Sequence, residues 1–411
     1  MRTSLLALFV FPVYLLGQTA DGLVAYYPFE SNLGDAGGGS ENLGVGEGAI
    51  DFDCGVNGEA LYLATAPDLV RIPGGATTNV NRIFADLDFT VSFYFKPIGT
   101  NPTQYLLSKR STDCTSEQYF QISYAGGSRT LRAVLKQGNA EIALEYTIEN
   151  ASCWQYVTVR RRDRELRLFL NGESVASETT PGRIDVDNDG DLLIGGSECR
   201  SAAEENFTGL IDELQFYGVA LDDDVVASLY GRPDQILTPD TRIFLGESVQ
   251  IELNSNCGTD FSWTPAADVT PRDVPDPLIT PTQAGRRIYR VSIADNQYAC
   301  IATDSIEIQV IDPNSLSCDK VYFPRAFTPN GIGPAQNETF GISNPFAVGE
   351  LVSLEIFDRY GGTVFSTADA FERWDGSFRN EPVSPGVMLW RVVYRCEGQE
   401  IVRTGSVTIL R

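Results

Sequence analysis

Asp185, Asp187, Asp189 and Asp191 alternate through the run DVDNDGD, with Gly190 at its turn. This spacing matches the opening of a DxDxDG calcium loop, in which hard oxygens at alternating positions converge on the ion before the chain turns. The place of the bidentate glutamate is taken by Gly196, so calcium held here is expected to bind weakly, with affinity on the order of millimolar. An acidic hairpin turn entering a strand at Leu192–Ile194 accounts for the same run. Carboxylates could also hydrolyse glycosides if two of them flanked the scissile bond. The nearest run is Glu141-Ile-Ala-Leu-Glu145, whose glutamates share one strand face but have Ala143 where a tuning acid would stand. Asp212 and Glu213 are adjacent, which on a regular strand turns them to opposite faces. Arg160, Arg161, Arg162, Arg164 and Arg167 form a basic cluster. On a strand Arg161 and Arg167 would face one way and the other three the opposite way, to pair with acids or to meet an anionic glycan. Tyr26, Tyr27, Tyr105 and Tyr124 are candidates for stacking on sugar rings, set against a plain core role.

Other chemistry is excluded by composition. The 411 residues contain no histidine, which removes imidazole acid/base catalysis, His-containing triads and His-ligated zinc. Lys and Arg number 31 against 55 Asp and Glu, and a formal charge of −24 repels nucleic acid and anionic membrane surfaces. Leu5 to Leu16 is an apolar run after Arg2, the length of a signal-peptide core and too short to span a bilayer, so residues 1–17 are expected to be a signal peptide and the mature chain to carry no transmembrane segment. Eight cysteines, none in a CxxC pair, fit disulfides in an oxidising compartment.

The elements that must position these residues are mainly β. Leu166, Leu168 and Leu170 alternate up to Asn171-Gly172, the signature of a hairpin with a primed turn. Ile306, Ile308 and Val310 alternate likewise, and a helix of one or two turns is expected around Asp222 to Tyr230, opened by acids suited to a helix N-terminus. Breaks at Arg232-Pro233-Asp234 and Asp312-Pro313-Asn314 divide the mature chain into 18–231, 232–313 and 318–411.

LVAYYPFE from Leu23, GEALYL from Gly58, DFTVSFYFKP from Asp88, CWQYVTVRR from Cys153 and FTGLIDELQFYGVAL from Phe207 make residues 18–231 resemble laminin G-like, concanavalin A-like jelly rolls. The resemblance implies two packed antiparallel sheets whose loops or concave face take a sugar or a protein. Cys257, Trp263, Tyr298 and Cys300 make residues 232–313 look like an Ig- or PKD-like sandwich, read as a spacer. FPRAFTPNGIG from Phe323, LEIFDRYGGTVF from Leu354, WDGSF from Trp374, PGVMLWRVVY from Pro385 and GSVTILR from Gly405 make residues 318–411 resemble the gliding motility-associated C-terminal domain of Bacteroidetes, a type IX secretion sorting β-sandwich. The sequence departs from that family at Ile332, where the loop usually carries an acid, and at Tyr360, where tryptophan is common.

If each segment closes its own bridges, Cys257 pairs with Cys300 and Cys318 with Cys396; in the first segment, where Cys54 with Cys114 is the alternative, Cys114 and Cys199 each follow an expected strand and are expected to pair, leaving Cys54 with Cys153. The expected protein is a secreted, extracellular or cell-surface, non-catalytic binding and adhesion protein. Its partners would be a glycan or surface protein and the type IX machinery, and calcium is the only cofactor its residues suggest. The alternative is a carbohydrate-active enzyme using carboxylates of the first segment.

Overall fold

The computed structural model describes residues 21–410 except 66, 75–79, 86–87, 99–101, 150–152, 299, 313–316, 319, 333–336, 380 and 397. The expected signal peptide therefore lies outside the described residues. The chain forms two compact units. One runs to Asp240 and takes in Ser248–Thr280 and Ile288–Glu307; the other comprises Thr241–Glu247, Pro281–Arg287 and Ile308–Arg411. The 232–313 segment, expected as a separate spacer, is thus divided between them.

The first unit is built on two eight-stranded sheets. The first sheet runs in the order Glu173–Thr179, Glu165–Leu170, Gln155–Arg162, Phe89–Pro97, Gly209–Tyr217, Glu59–Leu63 and Ile50–Cys54, with Leu23–Tyr27 also paired to Gly209–Tyr217. The second runs Ala140–Thr147, Thr130–Gln137, Gln118–Ala125, Thr103–Arg110, Leu192–Ile194, Leu69–Ile72 and Val45–Glu47, with Glu204–Asn206 lying parallel to Thr103–Arg110. Period-2 alternation decides what each strand buries. Phe89, Val91, Phe93 and Phe95 enter the core between the sheets, as do Phe120, Ile122 and Tyr124. Phe84, from a 3₁₀ turn, sits among Phe89, Phe120 and Phe216 at centroid distances of 5.2, 5.3 and 6.4 Å.

The hairpin at Asn171-Gly172 forms with φ of 51° and 83°, as a type I′ turn requires. Asp223–Ser228 is helical, slightly shorter than the sequence suggests, and its Val226 packs on Phe169, Tyr217 and Leu221.

Two of the four disulfides correct the expected pairing. Cys114 joins Cys199 and Cys318 joins Cys396, but Cys54 bonds Cys257 and Cys153 bonds Cys300. The reason is docking rather than spacing. Asn256 donates to the carbonyls of Gly55 (3.0 Å) and Gly58 (3.1 Å), which carries the neighbouring Cys257 to the strand that ends at Cys54. Tyr298 serves the same docking: its hydroxyl donates to Asp53 and its ring meets Tyr62 at 5.8 Å. Between these anchors Lys96 is ion-paired with Asp295, the two being 1% and 8% exposed, while its ammonium lies 4.9 Å from the Tyr298 ring centroid and 5.7 Å from that of Trp154. The part of the middle segment in this unit is therefore fixed on the outer face of the first sheet.

In the second unit a five-stranded sheet runs Ala326–Phe327, Gln399–Ile409, Gly386–Cys396, Glu350–Phe357 and Thr363–Thr367. One face packs Leu354, Ile356, Trp390, Val392, Tyr394 and Val407 into a core with Trp374. Thr241–Phe244 pairs parallel to 308–311, and the Tyr394 hydroxyl donates to the carbonyl of Cys318, beside the Cys318–Cys396 bond.

Candidate functional site

The acidic turn does not gather its carboxylates. Asp185 Oδ1 accepts the N–H of Asp187 at 2.9 Å, Asp191 is paired with Arg71 at 2.9 Å and accepts the N–H of Gly74, and Asp189 is exposed. Among the described residues no three Asp, Glu, His or Cys side chains are placed to hold a metal ion. The carbonyls of this turn face an internal cation instead. Lys109, 1% exposed, donates to the carbonyl of Asn188 at 3.0 Å and to that of Gly190. Gly190 is needed because a Cβ there would come 2.0 Å from the carbonyl oxygen of Arg110. Burial pushes the Lys109 ammonium down from 10.5 to about 8, against the pull of Asp187, Asp191 and Asp189.

A pH dependence follows. Between about pH 8 and 10.5 the folded chain has released a proton that the unfolded chain keeps, so stability contributed by this group rises with pH across that window. Relative to Lys109→Met, the native protein is expected to gain about 2 kcal/mol between pH 7.5 and 9.5. Urea unfolding of both proteins at the two pH values measures it, since the tyrosine contributions common to both cancel. A gap that stays constant would show that Lys109 is not a strained internal cation.

The other candidates are also redistributed. Asp212 and Glu213 do not turn to opposite faces, because the strand pairing shifts between Asp212 and Gln215 and Glu213 takes φ 51°. Asp212, 0% exposed, accepts N–H groups of Val56 at 2.7 Å and Glu213 at 2.8 Å, and Glu213 accepts the Tyr26 hydroxyl at 2.6 Å. Burial first and the charge of Glu213 next raise the Asp212 carboxyl well above the usual range, and burial with the charge of Glu30 raises that of Glu213 against the hydrogen bond from Tyr26. A fully buried Asp212 holds a loop and offers no substrate access.

Arg160 and Arg167 are direct cross-strand partners, so they share a face rather than dividing as a single strand would have it. Both bind Glu165 and Asp223, and Arg162 binds Asp222, so these arginines fasten the start of the helix. Tyr27 and Tyr124 are core residues, Tyr26 stands on the outer face of the first sheet with its hydroxyl on Glu213, and Tyr105 stands on the outer face of the second with its hydroxyl on Glu204 at 2.9 Å.

That face belongs to the second sheet and has a regular build. Strand register sets Arg71, Leu193, Ser108, Gln121, Val134 and Ala143 in one row across it. Arg110, Tyr119, Lys136 and Glu141 form the row on one side, and Tyr105, Ser123, Arg132 and Glu145 that on the other. Gln121 Nε2 donates to Ser108 Oγ at 3.2 Å and to Ser197 Oγ at 3.0 Å, so the loop after Leu192–Ile194 stands over one part of the floor. The Cys114–Cys199 disulfide and the Arg71–Glu198 pair (2.7 Å) hold that loop. The Arg110 guanidinium lies over the Tyr119 ring at 4.4 Å. The sequence reading missed Tyr119, Gln121 and Ser123, although QYFQISYA alternates them with the core residues Phe120, Ile122 and Tyr124. The signal was the polar half of an amphipathic strand, passed over because the apolar half defined it.

Residues 72–227 match the family described as the concanavalin A-like lectin/glucanases superfamily, and residues 321–409 match the CHU_C type IX secretion signal domain. The chain joins a concanavalin A-like domain to a type IX secretion signal domain. With its four disulfides, it is a secreted protein. No curated protein matches it. Solved structures similar in part include domain 4 of AbnA, a GH43 extracellular arabinanase from Geobacillus stearothermophilus, in complex with arabinotriose (20% identity, 51% of this chain and 98% of that one, TM-score 0.40). Others are the CBM40 of Ruminococcus gnavus IT-sialidase (18%, 40% and 96%, 0.34) and the receptor binding domain of a botulinum neurotoxin C/D mosaic serotype (12%, 93% and 73%, 0.43). At these TM-scores, what those proteins bind is not carried over to this chain. In the secretion signal domain the two departures from the family pattern, Ile332 and Tyr360, are 78% and 83% exposed. No described helix is long and apolar enough to cross a membrane.

Proposed function

We propose that this is a non-catalytic carbohydrate-binding protein of the outer cell surface, delivered there by its type IX secretion signal domain. The outer face of the second sheet is its glycan site. The observation that carries this reading is the covering of the first sheet: two disulfides and the Lys96–Asp295 pair fix the middle segment there, so the jelly-roll surface left to a ligand is the margin of the second sheet's outer face, where Tyr119 and Ala143 are half-buried and Glu141 and Glu145 exposed. That face combines two tyrosines with a floor of serine, glutamine, valine and alanine. Tyr119 offers half-exposed ring surface, and Tyr105, Ser108, Gln121 and Ser123, 8%, 1%, 6% and 6% exposed, form the polar floor that shapes the site beside it. The acids on it support binding rather than hydrolysis, because Glu141 and Glu145 are engaged by Arg132 and Lys136.

A glycan array followed by calorimetry on the best binder tests the proposal. Tyr119→Ala and Gln121→Ala should each weaken binding about tenfold, as expected for one lost ring contact or one lost polar pair. The bound oligosaccharide should be recovered with no new reducing ends. Affinity unchanged by both substitutions would move the site off this face, and new reducing ends would favour the carbohydrate-active enzyme.

A further inference from the structure

We infer that the glycan taken by this face is uncharged, and that sugars bearing carboxylate or sulfate groups are turned away by the acids already paired there. The inference rests on the reading of the second sheet's outer face as the glycan site and adds the chemical class of its ligand.

Each cation that an acidic sugar would need is already committed. Arg71 is engaged by Glu47 at 2.5 Å, Asp191 at 2.9 Å and Glu198 at 2.7 Å, so its whole fork is occupied. Arg132 lies 3.3 Å from Glu141 and 3.1 Å from Glu145. Lys136 lies 3.5 Å from Glu141 and 3.8 Å from Glu117. Arg110 is spread over the Tyr119 ring, with Nη2 donating to the carbonyls of Cys114 at 3.0 Å and Ser116 at 3.4 Å. With Glu204 on Tyr105, four cations meet seven carboxylates on and around the face.

Exposed ion pairs are individually weak, and an incoming carboxylate could displace one glutamate from Arg132. The displaced glutamate stays tethered to the same strand, however, so the exchange gains no net charge and leaves two anions beside one guanidinium. The local excess of negative charge, on a chain of formal charge −24, adds long-range repulsion. The uncharged accessible residues of the face, Tyr119 and Ala143, carry no such penalty for a neutral ring.

The test uses the full chain, the neutral oligosaccharides that bind it on an array, and the same oligosaccharides carrying uronate or sulfate groups. Neutral forms should bind with affinity nearly independent of salt. The acidic forms should bind at least roughly tenfold more weakly at low ionic strength and recover part of that loss as salt screens the repulsion. The double substitution Glu141→Gln and Glu145→Gln, which frees Arg132 from both its partners and leaves Lys136 only Glu117, should raise affinity for acidic forms several-fold and leave neutral binding in place. Acidic forms that bind as well as neutral ones, with affinity falling as salt rises, would overturn the charge inference while sparing the site. Neutral binding unaffected by Tyr119→Ala and Gln121→Ala, or no binding of any glycan, would overturn the site itself and the inference with it.

Discussion

Replacing Cys153 and Cys300 together by serine is expected to destabilise the first unit by about 4–5 kcal/mol, the value that chain entropy assigns to closing a loop of more than a hundred residues. The bond spans 147 residues and joins two buried cysteines, 9% and 3% exposed. It ties the start of the Gln155–Arg162 strand to the start of the Cys300–Ile311 strand, so its loss frees the middle segment to leave the first sheet at that end. Urea unfolding under non-reducing conditions measures the effect. A clearly lower midpoint for the first unit's transition is the expected result, and limited proteolysis should cut the middle segment sooner. A midpoint equal to that of the native protein would show that the remaining Cys54–Cys257 bond and the polar contacts hold the segment alone.

Lys96→Met is expected to cost about 3–5 kcal/mol, because it leaves the Asp295 carboxylate buried without its cation. Methionine keeps most of the apolar stem that packs beside Trp154 and Tyr298, which makes the loss electrostatic rather than steric. Asparagine at 295 retains the Oδ1 acceptor for the Gln297 N–H, at 3.0 Å in the native chain, and removes the stranded charge. The double variant Lys96→Met, Asp295→Asn should therefore regain at least half of the lost stability. If the double variant is no more stable than the single one, the pair is not the source of the effect.

Much of the fold was legible because the information is local. Alternation along Phe89–Pro97 and Gln118–Ala125 names the residues that enter the core, and Asn171-Gly172 names its own turn by the positive φ it tolerates. The same rule misled where the backbone departs from it. At Asp212–Glu213 a bulge put both acids on one side, and at Arg160–Arg167 a hairpin folded a basic cluster back on itself. Neither a bulge nor a fold-back leaves a mark in a two-residue period.

The candidate site was legible only in part. Tyr105 was singled out, but the neighbouring residues on its face come from strands that pair in the sheet through Thr103–Arg110, so which of them meet depends on register. The surroundings of the acidic turn were hidden for a related reason: DVDNDGD has the right spacing for an ion, and nothing in it announces that Lys109, nearly eighty residues earlier, donates to the carbonyls of Asn188 and Gly190.

The amino-acid sequence by itself determined the strands, their buried sides, the two families and the oxidising compartment, because these follow from short-range pattern and composition. The tertiary structure decided which cysteines bond, which sheet is covered and which face remains for a ligand. Those outcomes depend on contacts between residues as much as two hundred positions apart, such as Cys54 with Cys257 and Lys96 with Asp295, and their energy arises only when two surfaces complete in themselves are brought together.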